Sequence, residues 1–262
     1  MLRHDFLRRA RAPIAGLALA CAAGAARAAD PAVDPAWLPL RAGAQWVYEV
    51  HRDQSYRPDN ATIKRAFHVG RATGVAEPAP KRTPGGFLVR ERLVLEPVSG
   101  TVDKETTEQW TLYSFAGELR MHASGETRPD GGENESVYDP PLRLLPTTAV
   151  GRSWDAGLFR NGDQRVELRG EVVGVEDVEG EPRWPGCLKV RYQGSVAGSA
   201  PVENGVAEIS SAHYDRTLWF ARGVGIVRDV TVIESDLKLP DGHTAHGSLE
   251  LKQRLLEHRL PK

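Results

Sequence analysis

The sequence has little cysteine, and that is the first constraint it sets. Among 262 residues there are two, Cys21 and Cys187. Cys21 falls within what reads as a cleaved export signal, which leaves one thiol and no intrachain disulfide in the mature chain. The fold must then stand on its core alone. Long apolar runs are also missing: beyond the first residues nothing approaches the roughly 18 that a membrane-spanning helix needs, so a soluble mature chain with no transmembrane segment is expected. Gly-x-Ser-x-Gly, His-Glu-x-x-His and paired Cys motifs are absent, which removes the recognisable nucleophile-elbow, zinc and dithiol chemistries. No catalytic residue, no metal and no cofactor is assigned. Charge of one sign is lacking too. Taking five Arg and one Asp of residues 1–28 from the 34 basic and 35 acidic residues leaves 29 and 34. A mildly acidic body with interspersed signs carries no electrostatic footprint for nucleic acid or anionic lipid.

What is present begins with the export signal. "MLRHDFLRRARAPIAGLALACAAGAARAAD" has a basic start, an apolar run and Ala26-Arg27-Ala28, the small-x-small pattern of a signal-peptidase site. Cleavage after Ala28 and a periplasmic or secreted location are expected. Cys21 makes a poor lipobox, because Leu19 stands one place too late, so a lipoprotein is the lesser reading. "RHDFLRR" resembles a twin-arginine motif with His4 where the second Arg belongs, and the Sec route is the expectation.

After the signal, apolar residues alternate with polar ones between Gly, Pro, Asp and Asn punctuation, and helical periodicity is scarce. Trp46, Tyr48 and Val50 oppose Glu49 and His51, Leu188, Val190 and Tyr192 oppose Lys189 and Arg191, and Leu249, Leu251 and Leu255 oppose Glu250, Lys252 and Arg254. These are half-buried antiparallel strands. In "QRVELRGEVVGVEDV" the apolar parity switches beside Gly170 and Gly174, as a bulge would make it. The fold class is therefore all-β, a large curved antiparallel sheet or partly closed barrel.

Two halves echo each other. "LPLRAGAQW" returns as "LPTTAVGRSW", and "TLYSFAGELRM" as "TLWFARGVGIV", at offsets of 108 and 106 residues. The division is signal 1–28, first β unit 29–123, polar loop and linker 124–144, and second β unit 145–262, sharing one sheet with the first or packed on it. Within the linker "SGETRPDGGENES" reads as a mobile loop. The second echo also decides Gly223-Val224-Gly225. A dinucleotide loop needs a third Gly where Arg228 stands and a helix where "IVRDVTVI" continues as a strand, so Gly223 is a positive-φ turn residue.

The remaining candidates are single residues. Parity places His51, His68 and His122 on solvent-facing sides, and His243 and His246 in a polar turn without a third metal ligand. His213 shares parity with Ile209 and Trp219, near a core face, where it is a satisfied core histidine or the base of a hydrolase with no nameable nucleophile. Cys187 is grouped with Lys189 and Arg191, which could lower a thiol pKa, though Pro185-Gly186 precede it and an unpaired Cys is usually a small buried hydrophobe. Trp46, Tyr48, Trp110, Tyr192 and Trp219 lie on apolar parities. They either fill a core or line a concave face that binds an apolar ligand.

The export signal, "LPLRAGAQWVYEV", "CLKV" and "WFARGVGIVRD" together resemble a broad group of uncharacterised exported bacterial all-β proteins and lipoproteins with a Gly-Val-Gly-x-Val hairpin motif. Some of that group are similar to LolA-type lipoprotein carriers, whose cavity-closing helices have no counterpart in this sequence. The expectation is a periplasmic, non-enzymatic protein that binds an apolar or amphipathic, lipid-like ligand or an envelope protein. The alternatives are a packed β interaction module for protein partners and a hydrolase of unknown type.

Overall fold

The computed structural model describes residues 32–60, 62–99, 104–127, 132–161, 163–202 and 205–261. The expected export signal, residues 1–28 with Cys21, lies outside the described residues. Thirteen strands follow one another: β1 (Gln45–Pro58), β2 (Lys64–Pro78), β3 (Gly86–Ser99), β4 (Glu105–Phe115), β5 (Leu119–Thr127), β6 (Glu133–Leu145), β7 (Ser153–Asn161), β8 (Gln164–Val178), β9 (Trp184–Ala197), β10 (Ser199–Val202), β11 (Gly205–Ala221), β12 (Gly225–Lys238) and β13 (Thr244–Arg259). All pairings are antiparallel, in the order β6-β5-β4-β3-β2-β1-β13-β12-β11-β9-β8-β7, with β10 paired only to β11. One meander thus runs outward from β1 and a second inward to β13, and the last strand is stitched to the first.

The two ends of this order, β6 and β7, meet through side chains instead of a ladder. Trp154 Nε1 donates to the Arg143 carbonyl at 2.8 Å, and Tyr138 stacks on Phe159 with ring centroids 5.7 Å apart. The sheet is in this way nearly closed into a barrel, and closure removes the exposed edges that a large sheet would otherwise present.

One end of the barrel is plugged by the chain that leads into β1. Pro35–Trp37 form a short 3-10 turn capped by Asp34, whose carboxylate accepts from Ala36 N at 2.9 Å. Val33 N donates to Gly117 O in the β4–β5 turn, and Gly223 N in the β11–β12 turn donates to Ala36 O. Asp34 also pairs with Arg222. Gly223 has φ 79°, the left-handed value that a side chain disfavours, so Gly223-Val224 belong to a tight turn.

The echoed segments occupy matching positions. Gly43 N donates to Ala76 O at 2.8 Å ahead of β1, and Gly151 N donates to Val172 O at 2.8 Å ahead of β7. The parity switch on β8 is a register shift between Val172 and Gly174 against β9. The segment 124–144 departs from expectation. Residues 124–127 complete β5 and 133–144 belong to β6, paired as a hairpin from Thr127↔Glu133 inward. Its composition is polar because both faces of this hairpin end are wet, not because the backbone lacks partners.

Candidate functional site

The barrel interior is filled on one side and hollow on the other. Leu168, Val172, Val190, Leu218 and Phe220 pack with Leu38 of the plug and with Leu119 and Leu145. Beside them a cavity of about 760 Å³ is bounded largely by β1, β3, β4, β5, β12 and β13. Apolar side chains border it at Leu38, Met121, Phe159, Ile226 and Leu251, and polar ones at Glu91, Gln109, Thr111, Arg216, Asp229 and Gln253.

Its electrostatic centre is an ion pair across the β11–β12 hairpin. Arg216 Nη2 lies 2.7 Å from Asp229 Oδ2, and Nε lies 3.1 and 3.2 Å from the two carboxylate oxygens. Thr231 Oγ1 donates to Asp229 Oδ1 at 3.3 Å. Burial alone would pull the Arg216 pKa down, but Asp229 and the neighbouring Tyr214 hold it well above its ordinary value. The guanidinium is therefore a fixed, neutralised cation.

Glu91 is placed differently. Gln109 Nε2 donates to it, and no Lys, Arg or His pairs with it among the described residues. Burial pushes its carboxyl up, and the charge on Asp229 pushes it further, against the Gln109 hydrogen bond and the more distant Arg216. Tyr48 and Tyr113 share this pocket with Glu91. Burial raises both phenols, and the Glu91 and Asp229 charges add to the effect. Tyr48 OH donates to Ile226 O at 3.0 Å. Further along the wall Tyr138, Phe159 and Tyr214 form a continuous stack, with centroid separations of 5.7 and 6.4 Å, and Ser124 Oγ lies 2.5 Å from Tyr138 OH.

Of the five aromatics singled out from the sequence, Trp46 and Tyr48 line this cavity. Tyr192 stands in the packed half beside a residual void of about 30 Å³, its hydroxyl bonded to Leu144 O. Trp110 borders the cavity, but its indole takes the face of β4 opposite to Gln109 and Thr111, beneath the Arg82 guanidinium at 4.4 Å. Trp219 lies on the outer face. Its Nε1 donates to Glu176 at 2.7 Å, and Lys189 and Arg228 sit over its ring. The end of the β8–β9 hairpin arches across β11 and β12 to β13, where Trp184 meets His258 and Arg254 donates to Glu181 O. Beneath it Trp219, Val227 and Cys187 are buried. An outward face can thus be as apolar as the inward one, which is why the run Leu218-Trp219-Phe220 did not reveal its own orientation.

His213 departs from the expected core position. A register shift between Ile209 and Ser211 breaks the parity that linked it to Ile209, and its side chain is 55% accessible, 3.9 Å from Asp215. Cys187 is fully buried, its Sγ donating to Trp184 O at 3.3 Å, and burial pushes its thiol up to about 11. At neutral pH it is an inert thiol, not a thiolate. His68, expected on the surface, is fully buried beside Arg52, with Nδ1 3.3 Å from Arg52 Nη2. Its parity mates Gly70 and Ala72 are small inward residues, and that pattern marks a core face more reliably than Thr62 and Lys64 near the strand's start. His243 pairs with Asp59 and His246 with Asp236. No cluster suited to a metal occurs among the described residues.

Ser114 Oγ and His122 Nε2 are 2.7 Å apart, but no carboxylate orients the ring among the described residues, and Ser114 is nearly buried on the strand face away from the cavity.

The charged cavity residues were missed from the sequence. Arg216 shares parity with Tyr214, Leu218 and Phe220, and Glu91 with Val89, Leu93 and Leu95. A lone charge on an otherwise apolar strand face was the available signal.

No family model and no curated protein matches the chain. Among solved structures it is similar to one described as a "putative lipoprotein" from Parabacteroides distasonis. The identity is 16%, the match covers 85% of this chain and 98% of that one, and the TM-score is 0.35.

Proposed function

We propose that this protein is exported and acts in the cell envelope as a non-enzymatic binding protein whose barrel holds one amphipathic small molecule. The cavity carries the reading: about 760 Å³ lies within the roughly 300–1,000 Å³ typical of small-molecule sites, with an apolar flank and a small set of convergent polar groups. Catalysis is not supported: the hydroxyl beside a carboxylate in the cavity, Thr231 on Asp229, faces a carboxylate already held by Arg216.

Native mass spectrometry of protein purified from its own envelope tests the proposal, together with titration of Trp46 emission by alkyl compounds of increasing length. Each buried CH₂ contributes about 0.8 kcal/mol, so affinity is expected to rise about fourfold per carbon until the hollow is full. No co-purifying molecule and no saturable quenching at any chain length would overturn the reading in favour of a packed interaction module.

A further inference from the structure

We propose that the polar group of the ligand is a cation, an alkylammonium held between the Glu91 carboxylate and the rings of Tyr48 and Tyr113. The inference rests on the cavity reading and narrows it to one headgroup chemistry. Glu91 faces the hollow with a neutral amide, Gln109, as its hydrogen-bond partner. Its register partner across β2 is Gly74, and a Cβ there would meet nothing closer than 3.6 Å. Both Glu91 and Gly74 line the hollow.

The fixed charges decide the sign of the guest. Two cations line the cavity: Arg216 is committed to Asp229 through both of its edge nitrogens, and Arg160 on β7 is exposed, as is the lining acid Glu126 on β5, so the inner cation is already neutralised. With Glu91 ionised the site carries one unmatched negative charge. The groups around it are Tyr48 from β1, Gln109 and Tyr113 from β4, Arg216 and Tyr214 from β11 and Asp229 from β12. A fatty-acid carboxylate would have to displace Asp229 from Arg216 and then lie beside Glu91. An ammonium does neither: it meets a half-buried carboxylate without a counter-ion among the described residues, and aromatic rings suited to a cation.

The proton balance follows. Burial shifts the Glu91 carboxyl upward in the empty barrel, so a molecule that still carries the proton must give it up on binding. When R-NH₃⁺ enters, the carboxyl O–H bond breaks, its proton leaves to bulk water, and the carboxylate accepts from the ammonium N–H.

Dodecylammonium, dodecanol and dodecanoate differ only in headgroup, and calorimetric titration with each at neutral pH, in two buffers of different ionisation enthalpy, reads both affinity and proton release. Dodecylammonium is expected to bind at least about tenfold tighter than dodecanol, a difference of roughly 1.4 kcal/mol, with dodecanoate weakest. Proton release is expected with the ammonium alone, and it should grow as the titration is moved from neutral pH toward the ordinary Glu range, since the carboxyl is shifted upward. In Glu91→Gln the ammonium preference and the proton release should vanish. Dodecanol binding without an ammonium preference, or a preference that survives Glu91→Gln, overturns this inference and leaves the binding function standing. If none of the three binds, the cavity reading itself fails and takes this inference with it.

Discussion

Replacing Asp229 by Asn should expose how much the fold depends on the ion pair inside its cavity. The substitution keeps shape and one acceptor but removes the charge opposite Arg216, whose Nη2 lies 2.7 Å from Asp229 Oδ2. Breaking a buried pair by deleting one partner costs about 3–5 kcal/mol, because the remaining charge is left uncompensated. The Asp229 side chain is 7% accessible, whereas Arg216 is 33% accessible, so cavity water offsets part of the loss and about 3 kcal/mol is expected. At roughly 2–4 °C per kcal/mol for a chain of this size, the melting temperature should fall by about 6–12 °C. Urea unfolding with an unchanged m-value would report the same loss as a stability change and not as a change in compactness. The paired variant Arg216→Met, Asp229→Leu removes both charges and should recover most of it. Arg216 has one other acid to turn to, Glu91, so Asp229→Asn is also to be measured with Glu91→Gln. A loss below about 0.5 kcal/mol in Asp229→Asn, unchanged when Glu91 is also neutralised, would refute the reasoning that the guanidinium needs an anion at all.

Gly70→Ala would bring a Cβ within 1.9 Å of Val94 O, a backbone atom, and should cost about 3 kcal/mol by chemical denaturation, whereas Gly74→Ala, with 3.6 Å of clearance, should stay within about 0.5 kcal/mol. Trp219→Ala should cost about 3–5 kcal/mol in the same assay yet leave any cavity ligand's affinity unchanged, since its ring lies on the outer face under Lys189 and Arg228. Glu91→Gln should raise the melting temperature over wild type by an amount that depends on pH. The folded carboxyl is shifted upward, so its protonation stabilises the fold fully below the ordinary Glu value of about 4.3, and that contribution is lost as pH rises through the folded value. The gap between the two proteins should thus be smallest in acid and widest above neutrality, and a gap that narrows with rising pH would contradict the burial of Glu91.

Strand alternation made the all-β class, the turn at Gly223 and the bulge near Gly174 legible, because each depends on chemistry within a few residues: period-two burial, positive φ and a parity switch. The site was hidden for a different reason. Parity says which residues share a face but not which face is inside, and both faces are apolar wherever a hairpin or loop covers the outer wall. On β11 the sequence offers Leu218 and Phe220 on one side and Trp219 on the other. Bulk favours the tryptophan as the inward residue. The cover supplied by the β8–β9 hairpin, a contact between segments far apart in sequence, reverses that choice. Arg216 and Glu91 look like surface charges for the same reason: only closure of the barrel brings β3, β4, β11 and β12 around one hollow.

Inward side-chain size differs between β2 and β8. β2 follows β1 as β8 follows β7, and the matched hydrogen bonds from Gly43 to Ala76 and from Gly151 to Val172 align them. Inward positions of β2 are His68, Gly70, Ala72, Gly74 and Ala76, while those of β8 include Val166, Leu168 and Val172. On β2 only Gly74 borders the hollow, Ala72 and Ala76 being packed with Trp46, Tyr48 and Val89, whereas the large inward residues of β8 fill their part of the interior. The packed half, with Leu168, Val172, Leu218 and Phe220 against Leu38, anchors the β11 strand that carries Arg216. The hollow half presents Glu91 across from Gly74. A packed wall holds the fixed ion pair, and the hollow opens beside it.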